Sequence, residues 1–174
     1  MKILNSSTPS MLNAIRENKL DCGVLVFSSE YLEEGIETKV LDAFDDIAIA
    51  GRQYRELMGK KISLNELVKY PIITMEKGTM SNLTLKRFFN QHNLELKADI
   101  ELATTDLIVP TVANDLGIGF VPEPFAQEAL KRNEIFKLDL IEEIPKRNIC
   151  LVYKNDKPQP IAVKAFIDFI KEIV

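Results

Sequence analysis

Apolar positions along this chain switch repeatedly between helical spacing and short continuous runs, and polar turns separate one kind of segment from the other. Residues 2–4 read as a short strand entering the polar turn Asn5-Ser6-Ser7-Thr8. Pro9 then occupies the first helical position, and Met11, Leu12 and Ile15 form an apolar face. Residues 22–27, CGVLVF, predict an apolar strand of the kind found in sheets covered on both faces. A polar stretch over 28–35 follows, then extended segments at 39–41 and 46–50, the second closed by Gly51. Ser63 and Glu66 have the spacing of a capping box, so a short helix starts there and stops before Pro71. Residues 72–74 form a buried strand and 75–81 the polar loop after it. Met80, Leu83, Leu85, Phe88 and Phe89 then give an amphipathic helix that ends near His92.

Residues 101–124, ELATTDLIVPTVANDLGIGFVPEP, organise the rest. Residues 98–102 predict a strand, and Thr104 and Thr105 carry the short hydroxyls that accept orphan amides at a helix start. Leu107, Ile108, Val112 and Leu116 recur at helical spacing, Pro110 kinks or restarts that helix, and Gly117 stands where a left-handed C-cap is wanted. An apolar strand over 118–121 ends at Pro122. A helix over 125–132, an extended run over 135–140, a strand over 148–153 and a closing helix over 161–174 complete the chain. Val163, Phe166, Ile167, Ile170 and Val174 line one face of that last helix. Strands and helices alternate throughout, which predicts the α/β class with a largely parallel sheet.

With 174 residues and 46% hydrophobic content, the chain can form one domain or two small lobes. Its net charge of −4 argues against nucleic-acid binding by this segment alone, because phosphate neutralisation needs a basic face. No apolar run is long enough to span a bilayer, and the first residues lack a secretory pattern, so a cytoplasmic protein with no membrane partner is expected. Cys22 and Cys150 each lie in an apolar run and read as buried, reduced thiols.

The chain carries one histidine, His92, and no nucleophile elbow, P-loop or zinc spacing, so no catalytic residue, metal site or cofactor is assigned. Gly117-Ile118-Gly119 opens like a dinucleotide fingerprint, but Pro122 stands at the third glycine and the pair follows a helix. The acidic pairs Asp45-Asp46 and Glu142-Glu143 read as solvated surface. What remains is a recurrence of hydroxyl-rich helix starts: Ser6-Ser7-Thr8, Thr79-Met80-Ser81 and Thr104-Thr105. Converging on one cleft, their amides and hydroxyls would hold a carboxylate or phosphate. Taken singly, each is explained as a cap.

The string VPTVANDLGIGFVP, residues 109–122, resembles the pattern near the end of the effector-binding domain of LysR-type transcriptional regulators. NKLDCGV, residues 18–24, is similar to the segment in which a Leu-Asp pair precedes an apolar strand in that family. Residues 63–73 look like its short helix and second-lobe strand, and 161–174 like its closing helix. The resemblance implies an α/β fold similar to the type 2 periplasmic binding proteins, with two Rossmann-like lobes joined by two crossover strands. The first lobe would be 1–44 with 148–174, the second 45–147. It implies a small polar or anionic effector in the interlobe cleft, contacted by Ser7 and Thr8, by Thr79, Met80 and Ser81, and by Thr104. These lie in the three polar turns already singled out.

An arginine that relatives often carry near Asn82 is missing. The family's winged helix-turn-helix, its linker helix, and the first strand and helix of its effector domain have no counterpart, so the sequence opens where the second strand would be. DNA binding is then expected only through that missing part, with a homodimer or tetramer in the full-length protein. The alternatives are a free-standing solute-binding protein, or a small enzyme on the same fold using Glu76, Lys77 or Asp106.

Overall fold

The computed structural model describes residues 3–27, 35–154 and 160–173. Most of the predicted polar stretch 28–35, together with Lys2 and Val174, lies outside the described residues. The chain divides into two compact units, Met1–Phe44 with Lys146–Val174, and Asp45–Pro145. Elements are numbered in chain order.

The first unit holds helix α1 (Thr8–Arg16), strands β1 (Cys22–Phe27), β2 (Ile36–Phe44) and β10 (Arg147–Lys154), and helix α6 (Ile161–Ile173). Ser7 caps α1, its hydroxyl accepting the Ser10 amide at 3.4 Å, and Pro9 follows Thr8 as the second helical residue instead of the first. Leu12 and Ile15 are buried as their spacing predicts. The sheet order is β1-β10-β2 with both pairings antiparallel, Leu25 facing Cys150 and Cys150 facing Val40. β1 is therefore an edge strand, and Val24 is exposed, so the covered parallel strand expected from its apolar run is not found. Residues 3 and 4 form no strand: Ile3 is 80% exposed and pairs with nothing in the sheet. In α6, Ile167 is buried and Val163 and Ile170 half-buried, but Phe166, expected on the same stripe, is exposed.

The second unit contains β3 (Asp46–Gly51), β4 (Lys61–Ile62), α2 (Leu64–Leu67), β5 (Ile72–Met75), α3 (Met80–Gln91), β6 (Ile100–Leu102), α4 (Ile108–Ala113), β7 (Ile118–Pro122), α5 (Glu123–Lys131), β8 (Ile135–Lys137) and β9 (Asp139–Leu140). Its main sheet has the order β6-β5-β7-β3-β8. β5 runs parallel to both β6 and β7, whereas β3 is antiparallel to both β7 and β8. The expected largely parallel sheet is thus mixed. A strand covered on both faces shows the same apolar run in either direction, so its polarity is not written in its hydrophobicity.

Helices cover this sheet on two sides. Ala48 and Ala50 of β3, with Ile118 and Phe120 of β7, pack against Leu85, Phe88 and Phe89 of α3. Ile47, Ile49 and Val121 point the other way, to Ile108 and Val112 of α4 and Ala126 and Ala129 of α5. The alternation along each strand sorts its residues between the two layers. Phe89 meets Phe120 edge-to-face at 5.8 Å, and each fully buried phenylalanine contributes about 1.5–3 kcal/mol. Two glycines permit the close packing. A side chain at Gly117 would meet the Pro71 carbonyl oxygen at 2.6 Å, and one at Gly119 would meet methyls of Ile108 and Val112 at 2.7 Å. The left-handed residue after α4 is Asp115, with φ 62°, rather than Gly117.

The capping box forms at α2 as the spacing requires. Glu142 is half-buried rather than a solvated surface carboxylate, and it accepts the Leu64 amide at 2.9 Å. Among the described residues, no helix is long and apolar enough to cross a membrane.

Candidate functional site

The chain leaves β5 and β6 at the same edge of the sheet. The strands are parallel with Met75 opposite Leu102, and the Glu76 amide donates to the Leu102 carbonyl at 2.9 Å. The turns after them therefore lie side by side in the second unit, at the carboxyl end of parallel strands where open α/β sheets bind ligands. One turn carries Thr79, Met80 and Ser81, the other Thr104 and Thr105.

Thr79 caps α3. Its hydroxyl donates to the Glu76 carbonyl at 2.8 Å and accepts the Asn82 amide at 3.3 Å. Met80 and Ser81 are the first two helical residues, whose amides have no acceptor inside the helix. The Met80 side chain is buried and Ser81 is half-buried, so from Met80 a ligand would take the backbone amide.

Thr104 behaves differently from the expected cap. It is exposed and makes no side-chain capping bond; a 3₁₀ turn, Thr105–Leu107, comes first, with the Leu107 amide donating to the Thr104 carbonyl at 3.3 Å. α4 begins only at Ile108, which places Pro110 in its first turn, where no intrahelical hydrogen bond is lost. That restart also leaves Leu107 and Leu116 exposed, while Ile108 and Val112 are buried. The Thr105 hydroxyl, likewise not a cap, lies 3.7 Å from the Met75 sulfur.

Of the charged residues near these turns, Lys77 pairs with Glu101 at 3.3 Å, and Glu76 and Asp106 are exposed. Ser7 and Thr8 belong to the first unit. There the Ser7 hydroxyl donates to Ser10 Oγ at 2.9 Å, and Thr8 Oγ1 donates to the Val26 carbonyl at 3.1 Å.

Two polar residues of this edge went unread in the sequence, Thr74 and Asn82. Both are buried, with Asn82 Nδ2 donating to the Met75 carbonyl at 3.0 Å. The signal was local: Asn82 follows the capping Thr79 by three residues. Elsewhere, Cys150 is buried and Cys22 half-buried, both as free thiols. Burial pushes both thiols up, aided at Cys22 by the Asp21 carboxylate, which keeps them protonated. His92 ends α3 with its ring edge-to-face on Phe88 at 5.2 Å. Among the described residues, no group of three His, Cys, Asp or Glu side chains is placed to hold a metal ion.

The model of the LysR substrate binding domain matches residues 1–174. The transcriptional activator CmpR of Synechocystis is 28% identical over 126 residues, which cover 71% of this chain and 41% of that protein. The RuBisCO operon transcriptional regulator of Acidithiobacillus ferrooxidans is 24% identical over 163 residues, 92% of this chain and 51% of its own length. The chain thus spans about half the length of these curated relatives, or less.

Among solved structures, the Synechocystis CcmR regulatory domain in complex with 2-PG superposes with a TM-score of 0.81 at 18% identity, covering 97% of this chain and 80% of that one. The effector binding domain of QuiR in complex with shikimate gives 0.79 at 20% identity, covering 97% and 78%. These likenesses establish the type 2 periplasmic-binding-protein-like fold. By the match along its whole length, the chain belongs to the LysR substrate-binding-domain family.

Proposed function

We propose that this chain is the effector-sensing domain of a LysR-type transcriptional regulator, and that its ligand is a small polar or anionic metabolite. The observation that carries the reading is the pairing of two polar turns on the carboxyl edge of β5 and β6, with the first-turn amides of α3 at one of them. Ser81 and Thr104 offer hydroxyls, Met80 its amide, and Thr79 the remaining lone pair of an oxygen whose proton goes to the Glu76 carbonyl. A helix N-terminus favours negative charge. Lys77 adds a cation: its pair with Glu101 is largely exposed and worth little, so Lys77 can turn to an anion.

The two compact units, Met1–Phe44 with Lys146–Val174 and Asp45–Pro145, serve as the two lobes. The effector acts by differential affinity for two conformations, shifting their populations. DNA is contacted by a separate helix-turn-helix domain of a cytoplasmic homodimer or tetramer. No catalytic step is assigned to Glu76, Lys77 or Asp106.

2-PG and shikimate, bound by the two structural neighbours, are the first compounds to titrate by calorimetry, with inorganic phosphate beside them. Ser81→Ala and Thr104→Ala should each weaken binding about tenfold, the loss of one hydrogen bond to a charged ligand, with the melting temperature nearly unchanged. Wild-type affinity in both variants would sink the assignment of these turns.

A further inference from the structure

Apart from Arg147, the buried polar side chains among the described residues are Thr74, Asn82 and Thr84. Two of them meet at one atom. Asn82 Nδ2 donates to the Met75 carbonyl at 3.0 Å and approaches Thr74 Oγ1 at 3.5 Å, while the Thr74 hydroxyl donates to the same carbonyl at 3.0 Å. The Asn82 backbone amide is held by Thr79 Oγ1 at 3.3 Å, so this residue grips the capping threonine on one side and the end of β5 on the other. Met75 in turn reaches the second turn, where its sulfur faces the Thr105 hydroxyl at 3.7 Å. A chain of contacts therefore runs from Thr79 through Asn82 and Met75 to Thr105. It passes beneath both polar turns and includes no atom of the proposed ligand contacts except the Thr79 hydroxyl.

We propose that Asn82 is a positioning residue for effector binding: through Met75 it holds the turns at 79–81 and 104–105 in one register. The proposal rests on the effector reading given above. An apolar residue of similar volume would fill the space under α3, but would leave the helix free to slide along β5. The amide fixes the helix start by hydrogen bonds of defined direction. Supporting contacts of this sort matter because ligand groups misplaced by about 1 Å lose much of their effect.

Asn82→Asp tests this with little change of shape. The carboxylate has no proton to give Met75, and its place in the first turn of α3 offsets part of the cost of burying its charge. Hydrogen exchange read residue by residue should show protection falling tenfold or more at two amides together. These are Leu83, which donates to the Thr79 carbonyl, and Leu107, which donates to the Thr104 carbonyl. Amides of Ile47 and Ile49, paired with β7 away from the node, should keep theirs.

Calorimetry with 2-PG should show the variant binding at least tenfold more weakly. Thr105→Val, which removes only the contact to sulfur, should lower protection at Leu107 and spare Leu83. Loss confined to Leu83, loss spread evenly over the second unit, or full protection at Leu107 in Thr105→Val would overturn the coupling. Failure of the wild-type domain to bind 2-PG, shikimate or inorganic phosphate would instead remove the effector reading, leaving the exchange pattern to decide whether Asn82 couples the turns.

Discussion

Glu66 Oε2 accepts both the amide and the hydroxyl of Ser63 at 3.0 Å, and Ser63 Oγ returns to the Glu66 amide at 3.3 Å. Those two bonds to Ser63 hold the Glu66 carboxyl below its ordinary value of 4.5. A carboxylate whose folded-state value is depressed adds stability that is present above its unfolded value and is lost as the pH falls through the folded one. Glu66→Gln should therefore flatten the acid limb of the stability profile below about pH 4.5, measured as the urea midpoint against pH, by lowering the neutral plateau slightly and leaving the acid end unchanged. This cap was legible because every atom of it lies within four consecutive residues. Thr104 was not legible in the same way. Whether a threonine caps a helix depends on where the helix begins, and here a 3₁₀ turn and a proline move that start to Ile108. Met80 shows a third case: its place at the head of α3 could be read, but its burial depends on packing that no local spacing records.

At the level of elements, α4 sits close on β7. Gly119 lies where a β-carbon would come within 2.7 Å of Ile108 Cγ2 and Val112 Cγ2, and both those side chains are fully buried. Neither has open space to retreat into, so Gly119→Ala should cost about 1–3 kcal/mol, read as a lowered urea midpoint with an unchanged slope. A stability equal to wild type would mean that α4 shifts outward at little cost. The two glycines of this segment are visible in the sequence, and so is their context, after a helix and at the start of a strand. Their actual uses, one clearing the Pro71 carbonyl and the other admitting α4, depend on neighbours from distant parts of the chain. Strand direction was the larger gap. Apolar runs located β3, β5 and β7, yet β3 runs against its neighbours because the sheet's order, β6-β5-β7-β3-β8, is fixed by pairing and not by hydrophobicity.

For the whole molecule, the two units differ in how the chain builds them. Asp45–Pro145 is one continuous segment, whereas the other unit is assembled from Met1–Phe44 and Lys146–Val174. Both apolar layers around the five-stranded sheet, the one under α3 and the one under α4 and α5, draw every residue from the continuous segment. The resemblance to LysR effector domains made a two-lobed plan readable from sequence, because its motifs recur in order along nearly the whole chain. The closing strand β10 could be located but not paired. Only the structure sets it between β1 and β2, with the register slipping between Ile149 and Cys150. Folding of the second unit should accordingly be independent of the first. Residues 45–145 expressed alone should give a cooperative urea transition and dispersed amide signals, with Phe88 and Phe89 protected in the core. Phe89→Ala, at a position with no exposure, should then lower stability by about 3–5 kcal/mol in the excised segment and in the full chain alike. A compact segment lacking fixed side-chain packing would refute this independence, since the two apolar layers would then not suffice to hold the edge on which the candidate site is built.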